Sequence, residues 1–436
     1  MTYRRAVIPA LLGGLLLTAL LWWAGATADA LHLPGSGSVL GARTAAELER
    51  WLGPWAYDPP TALPLGAETP GGTGGAAVTD SGRYLSLYTT GQQIRFCALF
   101  AFFVPGALLL IRRLPPVHGR LPATLLALWA WGIVAGTLAV GVSTPWLIAA
   151  NGRGSYRFLP QLASGLAAGR QLLVVTGLVV AAVTVLVART AAKGAGPLPR
   201  TPVPAHAARR AATLGTAVIA LSLVVLSYEK VAAALQTVPS PGGLLDEPGE
   251  LLRQWLLLGA WSAPAGTALG DWLLHRAVDL LVLALVWAAL RLLPGLLTRV
   301  TVPAMAAGAV SATVLGLLAS QVLRIALDAT GMRYGLLYIS GNLGNGVPAA
   351  LLWGILAGTA AALTLRTTTG GQEAVEPREP TAPMPPGAPT APGASTAPEG
   401  PTAGAASTAG EAPTAPASPT VPTSPTAGEA PAAERS

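Results

Sequence analysis

Residues 121–142 read LPATLLALWAWGIVAGTLAVGV, a stretch dominated by Leu, Ala and Val with no Asp, Glu, Lys or Arg. Coiled as an α-helix it would reach about 33 Å, enough to cross the hydrocarbon core of a bilayer. In hydrocarbon the backbone N–H and C=O groups must be satisfied within the segment, so a run of this length and composition is a membrane helix. Seven further stretches share its character: Ala6–Ala26, Phe96–Ile111, Gln171–Ala188, Ala211–Tyr228, Leu273–Leu293, Val300–Leu323 and Val347–Leu365. The second is the shortest.

The whole chain agrees with these runs. Of 436 residues 52% are hydrophobic and 11% charged, against about 25% charged in soluble domains. A soluble globule of this composition could not solvate its surface. The single cysteine, Cys97, excludes a disulfide within one chain and a cysteine-cluster metal site. The four histidines, His32, His118, His206 and His275, are too dispersed to converge on one metal. No catalytic, metal or cofactor site is therefore expected.

The net charge of +7 is unevenly spread. Residues 1–366 hold 25 basic and 13 acidic side chains, whereas residues 367–436 hold 2 and 7. The arginines sit at the ends of apolar runs, not in a stripe with interleaved aromatics, so they read as topology signals and not as a nucleic-acid surface. With the N-terminus in the cytoplasm, the inner connections carry Arg4, Arg5, Arg112, Arg113, Arg120, Arg189, Lys193, Arg200, Arg209, Arg210, Arg291 and Arg299. The positive-inside rule then places both termini in the cytoplasm and residues 27–95 and 229–272 outside. Arginine far outnumbers lysine and Ala, Gly and Pro abound, a GC-rich codon bias that suggests a bacterial plasma membrane. The first span also has the parts of a signal peptide, with Arg4-Arg5 before it and Ala26-Thr27-Ala28-Asp29-Ala30 after it.

An internal duplication favours a retained helix there. Arg4-Arg5-Ala6 is echoed by Arg209-Arg210-Ala211, Ile111-Arg112-Arg113-Leu114-Pro115 by Leu290-Arg291-Leu292-Leu293-Pro294, and Arg120 by Arg299. At a constant offset, Gly154, Leu159, Gly169 and Arg189 meet Gly331, Leu336, Gly346 and Arg366. Four spans per copy is an even number, so the copies enter from the same side and form parallel repeats. The expected fold is all-α: an eight-span membrane protein with a first four-helix repeat over residues 1–193, a linker over 194–208 and a second repeat over 209–366. A disordered tail over 367–436 completes it, because Pro, Ala, Thr, Gly and Ser without large apolar residues cannot offset ordering entropy.

Several residues stand out as candidates. Trp51 and Trp55, and their counterparts Trp255 and Trp261, follow mixed acidic, basic and apolar segments that suit the water–lipid boundary, as outer-leaflet anchors. Inside the spans, Asp279 and Arg324 are read as the ionisable pair, with His275 and Arg276 one turn from Asp279. Local pairing, or a bridge from Asp279 to Arg324, can satisfy the carboxylate without a transport role. Residues 152–157 and 340–346, rich in Gly with Arg or Asn, suit turns into the following helices or an anion cradle. Gly13, Gly14, Gly132, Gly136 and Gly316 would allow close helix contact.

These residues lead to three function classes. The first is a non-catalytic envelope scaffold or assembly partner, held in the lipid bilayer and offering its tail to a cytoplasmic protein. The second is a permease or lipid-handling transporter with a cavity between the repeats. The third, ranked last, is an outer-face membrane enzyme using loop carboxylates such as Asp29, none of which has a diagnostic neighbour.

Overall fold

Long apolar runs form helices here because the bilayer leaves them no other way to satisfy their backbones, and side-chain size then decides which helices touch. The computed structural model describes residues 3–32, 41–57, 75–116, 119–150, 169–192, 203–226, 231, 234, 269–327 and 343–373. Its helices are α1 (Tyr3–Ala26), α2 (Ala42–Leu52), α3 (Gly75–Arg113), α4 (Leu121–Ala150), α5 (Arg170–Ala191), α6 (Ala205–Ala220), α7 (Leu269–Leu296), α8 (Val302–Leu327) and α9 (Val347–Glu373). A π turn, Leu221–Leu226, prolongs α6. The described residues contain no strand. Eight helices, all but α2, are long and apolar enough to cross a membrane, so this is a multi-pass helical membrane protein. Residues 377–436, with most of the tail, lie outside the described residues.

The spans fall where the apolar runs stand, with one substantial difference. The second helix was expected to begin at Phe96, yet its spanning stretch runs from Gly82 to Arg113. Gln92, Gln93 and Arg95 look like a boundary in the sequence. In the fold Gln92 and Arg95 are buried against protein, so the helix continues through them without exposing them to lipid.

Neighbour relations define two closed circuits. In the first, α1 packs on α3, α3 on α4, α4 on α5, and α5 returns to α1. In the second, α6 packs on α7, α7 on α8, α8 on α9, and α9 returns to α6. The circuits meet chiefly along α4 and α8. The first core gathers Leu17, Leu99, Phe103, Ile111, Leu128, Leu173 and Val180. In the second, Ala130, Ile133 and Val134 of α4 join Ile219, Val282, Val286, Val310, Val314 and Trp353. Outward faces present Ile8, Leu15, Val179, Leu186, Leu280 and Leu363, a lipid-facing exterior of the kind soluble monomers lack.

Glycine sets the closest approaches. A Cβ at Gly354 would stand 2.6 Å from Cα of Val310, and one at Gly358 2.5 Å from Cα of Ala306, so this Gly-x-x-x-Gly face brings the backbones of α9 and α8 together. Gly106 of α3 leaves the space that the Trp131 ring fills, while the Trp131 indole donates to the carbonyl of Phe102 at 3.2 Å. Several hydroxyls within the spans turn back on their own helices: Thr137 donates to the Ile133 carbonyl at 2.9 Å and Thr313 to that of Ala309 at 2.8 Å.

One end of the bundle is tied by the connections themselves. The backbone N–H of Thr298 donates to the carbonyl of Arg113 at 2.9 Å, and Arg120 donates to that of Gly295 at 3.4 Å. The α3–α4 and α7–α8 connections therefore touch. We expect Gly354→Leu and Gly358→Leu each to destabilise the protein by about 1–3 kcal/mol or more, because the added atoms meet backbone that cannot step aside. Thermal unfolding in detergent checks this, with Gly82→Leu as the control, since nothing lies within 4 Å of a Cβ built there.

Candidate functional site

The densest buried polar cluster lies at the end of the bundle opposite the touching connections. It starts from α2 and the short turn after it, Gly53–Trp55. Along α2 Leu48, Trp51 and Leu52 are half-buried, Glu49 and Arg50 are exposed, and Arg50 bridges Glu47 at 2.8 Å. The helix thus lies with an apolar face inward and a charged face outward. The chain then enters the bundle: Trp55 is fully buried.

Three helices close on Trp55. Its indole N–H donates to the carbonyl of Gly169 at 3.1 Å, which Gly169 presents from a left-handed conformation (φ 69°) immediately before α5. Its ring meets Phe96 of α3 at 6.3 Å, tilted by 50°. Gly25 of α1 lies so close to the Trp55 carbonyl that a Cβ would overlap it. The guanidinium carbon of Arg95 stands 5.6 Å from the ring centroid, a cation–π contact.

Arg95 is the central side chain. Only 3% exposed, it sits about 27 Å along α3 from Arg113, at the rise of 1.5 Å per residue. Its Nε donates to Ser143 Oγ of α4 at 2.9 Å, and a second nitrogen donates to the Pro54 carbonyl. Tyr88 donates to the carbonyl of Ala56 at 2.9 Å, and Gln93 to the hydroxyl of Tyr57 at 3.3 Å. Arg95, Tyr88, Gln93 and the Trp55 indole thus hold residues 54–57 against α3, α4 and α5. Gln92, one turn from Arg95 and 1% exposed, leaves its Oε1 without a partner among the described residues.

Asp279 forms a second cluster. It is 3% exposed; Oδ2 accepts from Arg276 at 3.1 Å on its own helix and Oδ1 from Arg324 of α8 at 3.3 Å. The guanidiniums keep partial access, with side chains 31% and 26% exposed. His275 falls within α7, but its side chain lies outside the described residues, as do Trp255 and Trp261. Gln321, three residues before Arg324, accepts from the backbone N–H of Gly344 at 2.8 Å and donates to the Asn345 carbonyl at 3.0 Å. Of the two glycine-rich stretches, residues 152–157 lie outside the described residues, and residues 343–346 form a turn into α9.

The apolar run expected to span, Phe96–Ile111, begins one residue after Arg95, so Asp279 and Arg324 stood as the ionisable residues inside the spans and Arg95 was missed; the spanning helix runs from Gly82 to Arg113. A signal was available: Tyr88, Gln92 and Arg95 recur at helical spacing and share one face.

Chemically, both clusters tether. A guanidinium stays protonated and cannot act as a general base, and both oxygens of Asp279 are engaged. The described residues hold no group of three or more His, Cys, Asp or Glu able to bind a metal. No protein family, no curated protein and no solved structure matches the chain.

Two outcomes test the clusters. Asp279→Ala is expected to cost on the order of 3 kcal/mol, the low end for breaking a buried pair, since the guanidiniums retain some access. Asp279→Leu combined with Arg324→Leu should restore much of the loss, and unfolding of the three proteins in one detergent measures the difference. Separately, Arg95→Ala is expected to release residues 54–57 and speed limited proteolysis before α3, with cleavage elsewhere unchanged.

Proposed function

We propose that this chain is a non-catalytic integral membrane protein, an envelope scaffold or assembly partner, built from two parallel four-helix repeats. The observation that carries this reading is the seam between the circuits. Ala127, Ala130, Ile133 and Val134 of α4 and Ala307, Val310, Ser311 and Val314 of α8 are buried there. The one hydroxyl among them, Ser311, donates to Ala307 of its own helix at 2.9 Å and faces the Ala127 carbonyl of the other circuit at 3.4 Å. A permease working between repeats calls for water or polar groups at this depth. Small apolar side chains in direct contact support a fixed joint.

Three features support the duplication. The two circuits run in the same order. Gly169 and Gly346, paired at the constant sequence offset, both adopt left-handed conformations one residue before the last helix of their circuit. Each circuit also ties its second spanning helix to its third through a guanidinium, Arg95 to Ser143 and Arg324 to Asp279. On this reading residues 1–193 and 209–366 are the repeats and 194–208 their linker. Residues 367–436 form an acidic tail open to a cytoplasmic partner. The basic end faces the cytoplasm of a bacterial plasma membrane, and Trp51 serves as an outer-boundary anchor beside the buried Trp55.

The test is water access to the seam. With Cys97 replaced by Ala, Ser311→Cys in proteoliposomes should resist a charged thiol reagent from either side, while Ser81→Cys labels readily from one side. Labelling at position 311 would replace the scaffold with the permease. Reporter fusions after Arg120, Arg200, Arg299 and Arg366 should all report the cytoplasm, and a label at Ser240→Cys the opposite side; an external Arg366 fusion would break the parallel arrangement.

A further inference from the structure

Arg95 has hydrogen bonds but no counter-charge. Its Nε donates to Ser143 Oγ at 2.9 Å, another nitrogen donates to the Pro54 carbonyl, and the guanidinium lies over the Trp55 ring. All three partners are neutral. The ion pairs among the described residues join Arg50 to Glu47, and Arg276 and Arg324 to Asp279; none includes Arg95. A guanidinium keeps its proton, and one that is 3% exposed has lost the water that would stabilise its charge. In the second circuit the opposite charge is built in, as Asp279. In the first, Arg95 reaches only the Ser143 hydroxyl on the next helix.

A second group on the same face is unanswered. Gln92, one turn from Arg95 along α3, is 1% exposed, and its Oε1 has no partner among the described residues. A carboxamide can present either its oxygen or its paired N–H donors. What covers this face is the turn after α2. Side chains hold that turn, with Trp55 donating to Gly169, Tyr88 to Ala56 and Gln93 to Tyr57. Among the described residues, no backbone-to-backbone hydrogen bond ties residues 54–57 to a spanning helix. The turn is therefore docked as a separable strap. Arg95, about 27 Å along α3 from Arg113, stands near the far boundary of a hydrocarbon core about 30 Å thick, where lipid phosphates and water begin.

We propose that residues 54–57 form a strap over a phosphate-binding site whose charge is Arg95. With the strap down, the Pro54 carbonyl takes one guanidinium nitrogen; when the strap lifts, a phosphate oxygen takes its place. Phosphate suits the site because guanidiniums present paired N–H donors to phosphate oxygens. Two sources supply it at this depth, a phospholipid headgroup and a free anion from the adjoining water. The cluster tethers while the strap is down, and the site beneath binds a ligand without reacting with it. The inference requires neither the scaffold reading nor the duplication.

Native mass spectrometry of the full chain in detergent tests this with phosphatidylglycerol, diacylglycerol of matched chains, and inorganic phosphate as probes. A phosphate probe should be retained in preference to diacylglycerol. Retention of phosphatidylglycerol alone assigns the lipid as the source, and its displacement by inorganic phosphate assigns the free anion. Arg95→Gln should weaken retention roughly tenfold to a hundredfold, the range for a charge-assisted hydrogen bond. Arg95→Lys, which keeps the charge and loses the fork, should fall between. Trp55→Ala loosens the strap and should strengthen retention by about tenfold or more, because apparent affinity scales with the fraction of molecules in the competent state. The bound probe should also speed proteolysis between α2 and α3 of the unaltered protein. Arg299→Gln, at the other end of the bundle, should change nothing. Arg95→Lys, Trp55→Ala and the comparison of probes on the unaltered protein carry the test even where Arg95→Gln does not fold. Failure to retain either phosphate probe over diacylglycerol, retention that survives Arg95→Gln, or no gain in Trp55→Ala overturns the proposal.

Discussion

Satisfaction of backbone polar groups where no water is available governs this molecule, and most of its features follow from that requirement. It makes every spanning segment a helix. It turns the hydroxyls of Thr137 and Thr313 back onto their own carbonyls. Where the α-helical ladder is interrupted inside the bundle, at residues 54–57, it demands dedicated partners. Arg95 donates to Pro54, Tyr88 to Ala56, and the indole of Trp55 to Gly169. The polar side chains gathered there answer a local need of the backbone, which is why the cluster has the appearance of a site without the chemistry of one.

The second governing factor is size. Since lipid tails are as apolar as leucine, helices gain little by hiding hydrophobic surface from lipid and associate through close packing. Gly354 and Gly358 bring α9 onto α8, and Gly106 admits the Trp131 ring. At the two ends different forces take over. The Arg112–Arg113 end is closed by backbone hydrogen bonds between connections, and the opposite end by guanidiniums. Arg95 reaches from the second spanning helix to a neutral hydroxyl, whereas Arg324 reaches from the third to a carboxylate. The two clips differ in what their loss would leave behind: a neutral Ser143 hydroxyl still bonded to the Val140 carbonyl in one circuit, and in the other a buried carboxylate held by Arg276 alone, the second being harder to keep buried.

The eight spans were legible in the sequence because length and composition alone decide whether a helix can cross a bilayer. The meeting of Asp279 with Arg276 was legible as well, because a spacing of three along a helix fixes a shared face. The role of Arg95 was not. A polar residue inside an apolar run reads the same whether it meets lipid, water or another helix, and only the docking of Trp55 from a distant part of the chain settles the matter. The Gly354–Gly358 face was written plainly in the sequence; its importance depends on Ala306 and Val310 standing opposite, which no local pattern announces.

Whether the two circuits could rock against each other, as a carrier requires, comes down to where the second core ends. It does not stop at the boundary: Ala130, Ile133 and Val134 of the first circuit are packed with Val282, Val286, Val310 and Val314 of the second. Tilting one circuit would shear a single continuous core, and interiors packed to crystal-like density resist shear unless a second packing of similar energy exists. Carriers supply that second packing with polar surfaces that can part and be wetted. Here the residues that would have to part are alanines and branched apolar side chains, with the Ser311 hydroxyl turned onto its own helix, and the connections at one end are hydrogen-bonded across the same boundary. Such a joint resists tilting, and the proposed scaffold reading rests on that mechanical character.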